Sequence, residues 1–395
     1  MNLAAILCEY NPFHNGHARH IRTVRGAGAD AVVCIMSGQF VQRGEPAIMD
    51  KFARAEAAVL GGADLVIELP HAFAMSAAPR FARAGVHLAA LLGADVLSFG
   101  TESSDPAALI RAAALCADKA VEEKLPLYLA QGFDYPRALS AAVSALDPQA
   151  AALLTQPNNI LAVEYLRAMA AYPALRPLAV PRSGAGHNAD YEGTTASASF
   201  IRRVLIAGGS ADGFLPPDCR ARFRREQAAG RAPVTATALE RAVLAQLRRM
   251  RPDDFAALPD VSEGLENRLF RAAQDAPTLA ALCGQVKTKR YTYARIRRIA
   301  MAAYTGLTRT HQAVLPSYIR VLAFNTTGRA ILAQLPEGPA VITKPAAGQC
   351  LGSADSALFR LEAQADRLWA LGCPEPAARS ENPYRRSPVY LNFRH

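Results

Sequence analysis

Short apolar runs alternate with helix-length stretches through the first half of the chain. Leu3, Ala4, Ala5, Ile6 and Leu7 form one such run, and residues 31–36, 65–69 and 96–99 form three more. Runs of this length, bounded by turn signals, read as strands buried on both faces. Between them, residues 17–26, 51–60 and 80–92 carry the composition and period of helices. The triplet Gly-Ala-Asp stands at 28–30, 62–64 and 93–95, just before the second, third and fourth runs. Each copy predicts a helix stop followed by a turn into a strand. Strands alternating with helices predict an α/β fold with a parallel sheet covered on both sides. Residues 176–180 predict a fifth strand, which Pro177 assigns to an edge or a strand start.

The rest of the chain has a different texture. Residues 106–171 read as mostly helical, and after Gly208 the strand signals fade. Helices are predicted over 235–250, 265–274 and 293–304, and an irregular tail over 374–395, where Pro and Arg are frequent. A length of 395 residues favours two domains. The turn Ala207-Gly208-Gly209 sets the expected boundary, giving an α/β domain over 1–208 and a mainly helical domain over 209–395.

Composition narrows the class. The chain is 51% apolar and 20% charged, which suits a globular protein with a sizeable core. Its formal net charge of +10 favours an anionic partner. The seven cysteines are scattered with no C-x-x-C pair, as expected of free thiols in a reducing compartment. No apolar run approaches the length of a membrane span, and the start of the chain lacks a secretory leader pattern. The expected location is the cytoplasm, with no membrane partner.

Candidate chemistry concentrates where the first strand meets the first helix. His14, Asn15, Gly16 and His17 follow Asn11, Pro12 and Phe13 at that junction. Helix N-termini after strands bind phosphates, because their N–H groups are unpaired and the helix dipole favours negative charge. Gly16 would let the backbone approach a phosphate, and His14 and His17 would share a helix face. Imidazole donors aimed at the charge growing on a phosphate can stabilise the transition state of transfer at an α-phosphate. A helix capped by Asn15 with two partly exposed histidines is the plainer alternative. Zinc held by His14, His17 and His20 is a weaker one, since no Cys or carboxylate stands at ligand spacing, and no metal ligand is assigned.

Further candidates lie beyond the turn. Gly100 ends the fourth run, where α/β sheets bind ligands. Ser197 and Ser199 begin a helix and can hold phosphate, with Arg202 one turn on. Gln39, Gln42, Arg43, Asp50 and Lys51 follow the second strand and could face the same site, Lys51 by steadying a phosphate. Residues 182–187 read as a loop. Lys287, Lys289, Arg290, Arg295, Arg297 and Arg298 form a basic segment with Tyr291 and Tyr293 interleaved, a composition that suits an RNA backbone and unpaired bases. Arg220, Arg222, Arg224 and Arg225 make a second basic cluster.

The block from Glu9 to His17 resembles the opening of the bacterial tRNA(Met) cytidine acetate ligases, a family of the HIGH-type nucleotidyltransferase superfamily. Residues 36–47, 64–70, 99–102, 156–161, 197–202 and 288–292 resemble further blocks of that family. The 197–202 block is similar to the superfamily's second signature, with Ala198 and Ser199 in place of its middle Ser and Thr. The resemblance implies a Rossmann-like nucleotidyltransferase domain with a helical C-terminal domain. It implies that His14 and His17 stabilise the transition state. ATP would be lined by Leu7, Cys8, Glu9, Tyr10, Asn11, Pro12, Phe13, His14, Asn15, Gly16, His17, Ala18, Arg19 and His20. Gly100, the pair Asn158 and Asn159, and Arg182 would complete the nucleotide site, with Ser197, Ser199 and Arg202 on the phosphates. Acetate, ATP with magnesium, and elongator tRNA(Met) are the implied partners, the tRNA on the 287–298 segment. A small-molecule adenylyltransferase, of the pantetheine-phosphate or nicotinate-mononucleotide kind, is the rival. A tRNA-binding protein with a degraded site is a third reading, which the intact histidines oppose.

Overall fold

The computed structural model describes residues 1–182, 191–262, 264–335, 337–380 and 382–393, without the side chains of residues 192 and 349. Five strands come from the predicted runs: β1 (Leu3–Cys8), β2 (Ala31–Ser37), β3 (Leu65–Leu69), β4 (Val96–Thr101) and β5 (Arg176–Pro181). Alternate residues face opposite cores, as the two-residue period of a strand requires. On β2, Ala31, Val33 and Ile35 join one core, and Val32, Cys34 and Met36 the other. Helices α1 (Asn15–Gly26) and α2 (Lys51–Leu60) cover the second core, while α3 (Ala78–Leu91) and α4 (Pro157–Met169) pack on the first.

Each Gly-Ala-Asp triplet performs two jobs. Gly28, Gly62 and Gly93 take positive φ values of 97°, 112° and 69°, a region that glycine enters without a Cβ penalty. The aspartates then accept backbone N–H groups at the starts of neighbouring strands. Asp30 accepts from Asn2 and Asp95 from Leu3, both at 2.7 Å, and Asp64 accepts from Val32 at 2.8 Å. These contacts fix which strands lie side by side.

The sheet does not stop at residue 208. Three later segments join it: β6 (Tyr318–Asn325), β7 (Ala340–Ile342) and β8 (Val389–Leu391). The strand order is β7-β6-β3-β2-β1-β4-β5, with β8 pairing the far half of β6. All pairs are parallel except β6 against β3. The expected boundary at residue 208, between an α/β part and a mainly helical part, does not bound the sheet, which draws strands from both sides of it. The sequence pattern hid β6 because Arg320 interrupts its apolar run, and β7 and β8 because three residues carry no measurable period. Proline's prediction for β5 agrees with the topology, since β5 closes one edge.

Candidate active site at the carboxyl edge of the sheet

The chain lays β2 and β3 to one side of β1 and β4 and β5 to the other. The carboxyl ends of β1 and β4 thus flank the point where strand order reverses, the usual crevice for a ligand in an open α/β sheet. The His14–His17 turn leaves β1 there, and Gly100 sits near the end of β4.

His14, not Asn15, is the N-cap of α1. Its Nδ1 accepts from the Gly16 N–H at 3.1 Å, and His17 Nδ1 accepts from the His14 N–H at 3.3 Å. This is a capping box built from two imidazoles. The rings stack with centroids 3.7 Å apart, and Tyr10 and Phe13 back His17. Burial lowers the His14 pKa to about 3, helped by Arg182 and Arg202. It also pulls His17 well down, helped by His14 and Arg182. A neutral ring whose Nδ1 accepts carries its proton on Nε2. Two Nε2–H donors are therefore fixed side by side at a helix N-terminus. In this tautomer neither Nε2 offers the lone pair that the zinc alternative would require. A Cβ on Gly16 would meet His14 Cε1 at 2.9 Å, so the glycine makes room for the histidine's own ring rather than only for a ligand.

Asn15 holds neighbouring loops instead of capping. Its Nδ2 donates to the Thr194 and Gly213 carbonyls at 2.8 and 3.1 Å, and its N–H to the Phe214 carbonyl at 2.9 Å. His20 bonds Ser98 on β4 at 2.8 Å, and burial lowers its pKa to about 4. Arg19 is exposed on the outer side of α1.

The second block comes to the same place. Ser197 caps α5 (Ala198–Ile206), accepting from Phe200 N–H at 3.1 Å. Arg202 on α5 donates to the Asn11 carbonyl at 2.9 Å and to Ser199 Oγ at 3.3 Å. The arginine thereby ties α5 to the strand–helix turn. The two asparagines separate in role. Asn159 is buried and accepts from the Glu102 and Ser103 N–H groups, supporting the end of β4. Asn158 bonds Glu102 and accepts from Arg182 at 3.2 Å. Arg182 passes beside Gly100, and its charge acts on all three histidines. The loop reading at 183–187 lies outside the described residues.

Other candidates are engaged elsewhere. Lys51 is fully buried, 2.8 Å from both Glu68 oxygens and 2.7 Å from Asp366, so its ammonium holds the core together and faces no phosphate. Gln39 bonds Asp50, which caps α2, while Gln42 N–H donates to Glu9 and Arg43 is exposed. Arg220 and Arg224 pair with Asp212, and Arg222 and Arg225 with Glu56. In the 287–298 segment, Arg298 pairs with Asp260, Arg297 with Glu45, and Arg295 bonds the Asp260 carbonyl and Ser262. Lys287 bonds the Thr288 carbonyl, Arg290 is half-buried and Lys289 is exposed. Tyr291 lies buried beneath Arg295, which removes it as a base platform; Tyr293 is exposed.

Sequence reasoning missed Arg54, Glu102 and Glu45. Arg54, wholly buried on α2, donates to the carbonyls of Glu9, Ser37, Gly38 and Met49, and so binds the exits of β1 and β2 together. A lone arginine in an alanine-rich helix was the available signal. Glu45 lies 2.8 Å from Arg297 and 3.7 Å from Arg202, joining the basic segment to the second block.

Residues 1–383 match the model of the HIGH Nucleotidyl Transferase family. The tRNA(Met) cytidine acetate ligase of Syntrophotalea carbinolica is 41% identical over 84% of this chain and 82% of its own length. That of Caldicellulosiruptor saccharolyticus is 34% identical over the whole of both chains. The chain belongs to the tRNA(Met) cytidine acetate ligase family of HIGH nucleotidyl transferases. Two crystal structures of Thermotoga maritima TmcAL, 29% identical, superpose over the full length of both chains. The TM-score is 0.93 for the form bound to α-thio-ATP and 0.94 for an apo form. The family's α/β architecture thus extends over the whole chain, including the strands beyond residue 208.

Proposed function

We propose that the protein activates acetate with ATP and acetylates N4 of the wobble cytidine, position 34, of elongator tRNA(Met). The observation that carries this reading is the pair of Nε2–H donors fixed at the N-terminus of α1, in a chain related over its whole length to enzymes of that name. An acetate oxygen attacks the α-phosphorus, and the bond to pyrophosphate breaks, giving acetyl-adenylate. His14 and His17 donate to the oxygens on which charge grows, as neutral groups that need no proton transfer. Arg202 and the Ser197 cap support the phosphates, and Asn158 with Arg182 the nucleoside end. The cytidine N4 then attacks the acetyl carbonyl; AMP leaves and the amine loses a proton, giving N4-acetylcytidine. Magnesium enters as part of the ATP substrate, with no protein cage assigned to it.

No helix among the described residues is long and apolar enough to cross a membrane. A cytoplasmic location is part of the same proposal, supported by seven free thiols. The test combines protein, ATP, radiolabelled acetate and bulk tRNA from a bacterium lacking the modification. ATP-dependent label in N4-acetylcytidine is expected. Transfer of AMP onto a small acceptor, with no labelled nucleoside, would overturn the reading in favour of an adenylyltransferase.

A further inference from the structure

The hairpin of Tyr191–Glu192 and Thr195–Ala196 forms a ridge beside the His14–His17 turn. Its tip is fastened there by the Asn15 side chain on the Thr194 carbonyl, and Thr195 Cγ2 would lie 3.8 Å from a Cβ on Gly16. On one side of the ridge stands Tyr191, 57% exposed. Its ring is held from below by Phe200 and Phe214, at centroid distances of 5.5 and 5.6 Å. Phe214 is anchored through its carbonyl to Asn15, and Phe200 follows Ser199 in the second block. Tyr191 thus covers an aromatic cluster tied to the nucleotide turn while more than half of its surface stays open to solvent.

On the other side lies a groove of about 530 Å³, lined by Thr194, Thr195, Asn15, Arg19 and Arg22 among others. Arg19 and Arg22 are exposed, and their guanidinium groups make no hydrogen bond or ion pair with the described residues. Arg295, Arg297 and Arg298 of the 287–298 segment, by contrast, are paired within the protein. An aromatic face and unpaired guanidinium groups on the two flanks of one hairpin are the chemistry that holds single-stranded RNA, with a base on the ring and phosphates on the arginines.

We propose that this ridge receives the single-stranded RNA segment bearing the acceptor cytidine. Tyr191 stacks on an unpaired base, and Arg19 and Arg22 contact the backbone. The inference rests on the acetylation reading and specifies how its RNA enters.

The test separates the two half-reactions of the full-length enzyme. Acetate-dependent exchange of pyrophosphate into ATP reads adenylation, and acetylation at varied tRNA concentration reads the RNA step. Tyr191→Ala and Tyr191→Leu are expected to raise the KM for tRNA by about tenfold, Tyr191→Phe to stay near wild type, and exchange to stay unchanged in all three. Arg22→Ala should raise the same KM and make it less dependent on salt, by about one phosphate contact. Wild-type KM in Tyr191→Ala would overturn the proposal, as would wild-type KM in Tyr191→Leu, which keeps the packing but lacks the face. Failure of Tyr191→Phe would point to the hydroxyl and would also overturn it. Lost exchange in Tyr191→Ala would reassign the hairpin to the ATP site. A wild-type enzyme that neither exchanges nor acetylates would instead defeat the acetylation reading itself.

Discussion

Backbone N–H groups occupy Nδ1 of both His14 and His17, and this leaves their protons on Nε2, where an α-phosphate oxygen would meet them. The pair should act as a unit, because each ring stacks on the other. Either His14→Ala or His17→Ala is expected to slow acetate-dependent exchange by about 10²-fold or more, the usual cost of losing a donor to developing charge. Equal turnover in both variants and wild type would remove the assignment. The same geometry fixes a pH response. Both pKa values lie below the usual histidine value near 6.5, that of His14 at about 3, so both rings stay neutral as pH falls from 8 to 6. The adenylation rate should therefore show no loss with a histidine midpoint in that window, which a pH profile of the exchange reaction measures. The turn's place and residue types were legible in the sequence. The tautomer was not, because it depends on which nitrogen faces the helix backbone.

Among the elements, the strands of the first half were legible because their residues alternate cleanly between two cores. Asp64 adds a check at this scale. It accepts from Val32 N–H on β2, from Arg25 and from Asn325 at the end of β6, so one carboxylate fixes two strand neighbours. Asp64→Ala is expected to lower stability by about 1–3 kcal/mol, the cost of leaving buried donors unpaired, read as a denaturation midpoint. α2 was legible as a helix and not as an ion-pairing element, since lysine and arginine ordinarily mark a solvated face. Here every residue from Lys51 to Val59 is buried. Lys51 meets Glu68 and Asp366, and Arg320 on β6 meets Glu68, Glu362 and Asp366. Burial, with help from Glu68, pushes Glu362 up to about 7. Lys51→Met should destabilise the protein by about 3–5 kcal/mol, because it leaves the buried carboxylates of Glu68, Glu362 and Asp366 to share Arg320 alone. Loss of exchange activity with an unchanged melting point would return Lys51 to the phosphate role.

At the scale of the molecule, the sheet begins with β1 and is completed by β8, so the first half of the chain lacks a finished core by itself. β3 has β6 as its outer neighbour, and α6 (Ser353–Ala370) supplies Glu362 and Asp366 to the ion network. A fragment of residues 1–208 is expected to lack a cooperative melting transition, whereas a self-contained domain there would melt like the full chain. The pattern of hydrophobic positions could not reveal this, because the closing strands are short or carry a buried charge. The same arrangement bears on synthesis at the ribosome. The turn with both histidines emerges among the first twenty residues, yet β3 gains its outer partner only after more than three hundred have been made. A nascent or prematurely terminated chain thus carries the histidine turn without the strands and helix that complete the sheet beneath it.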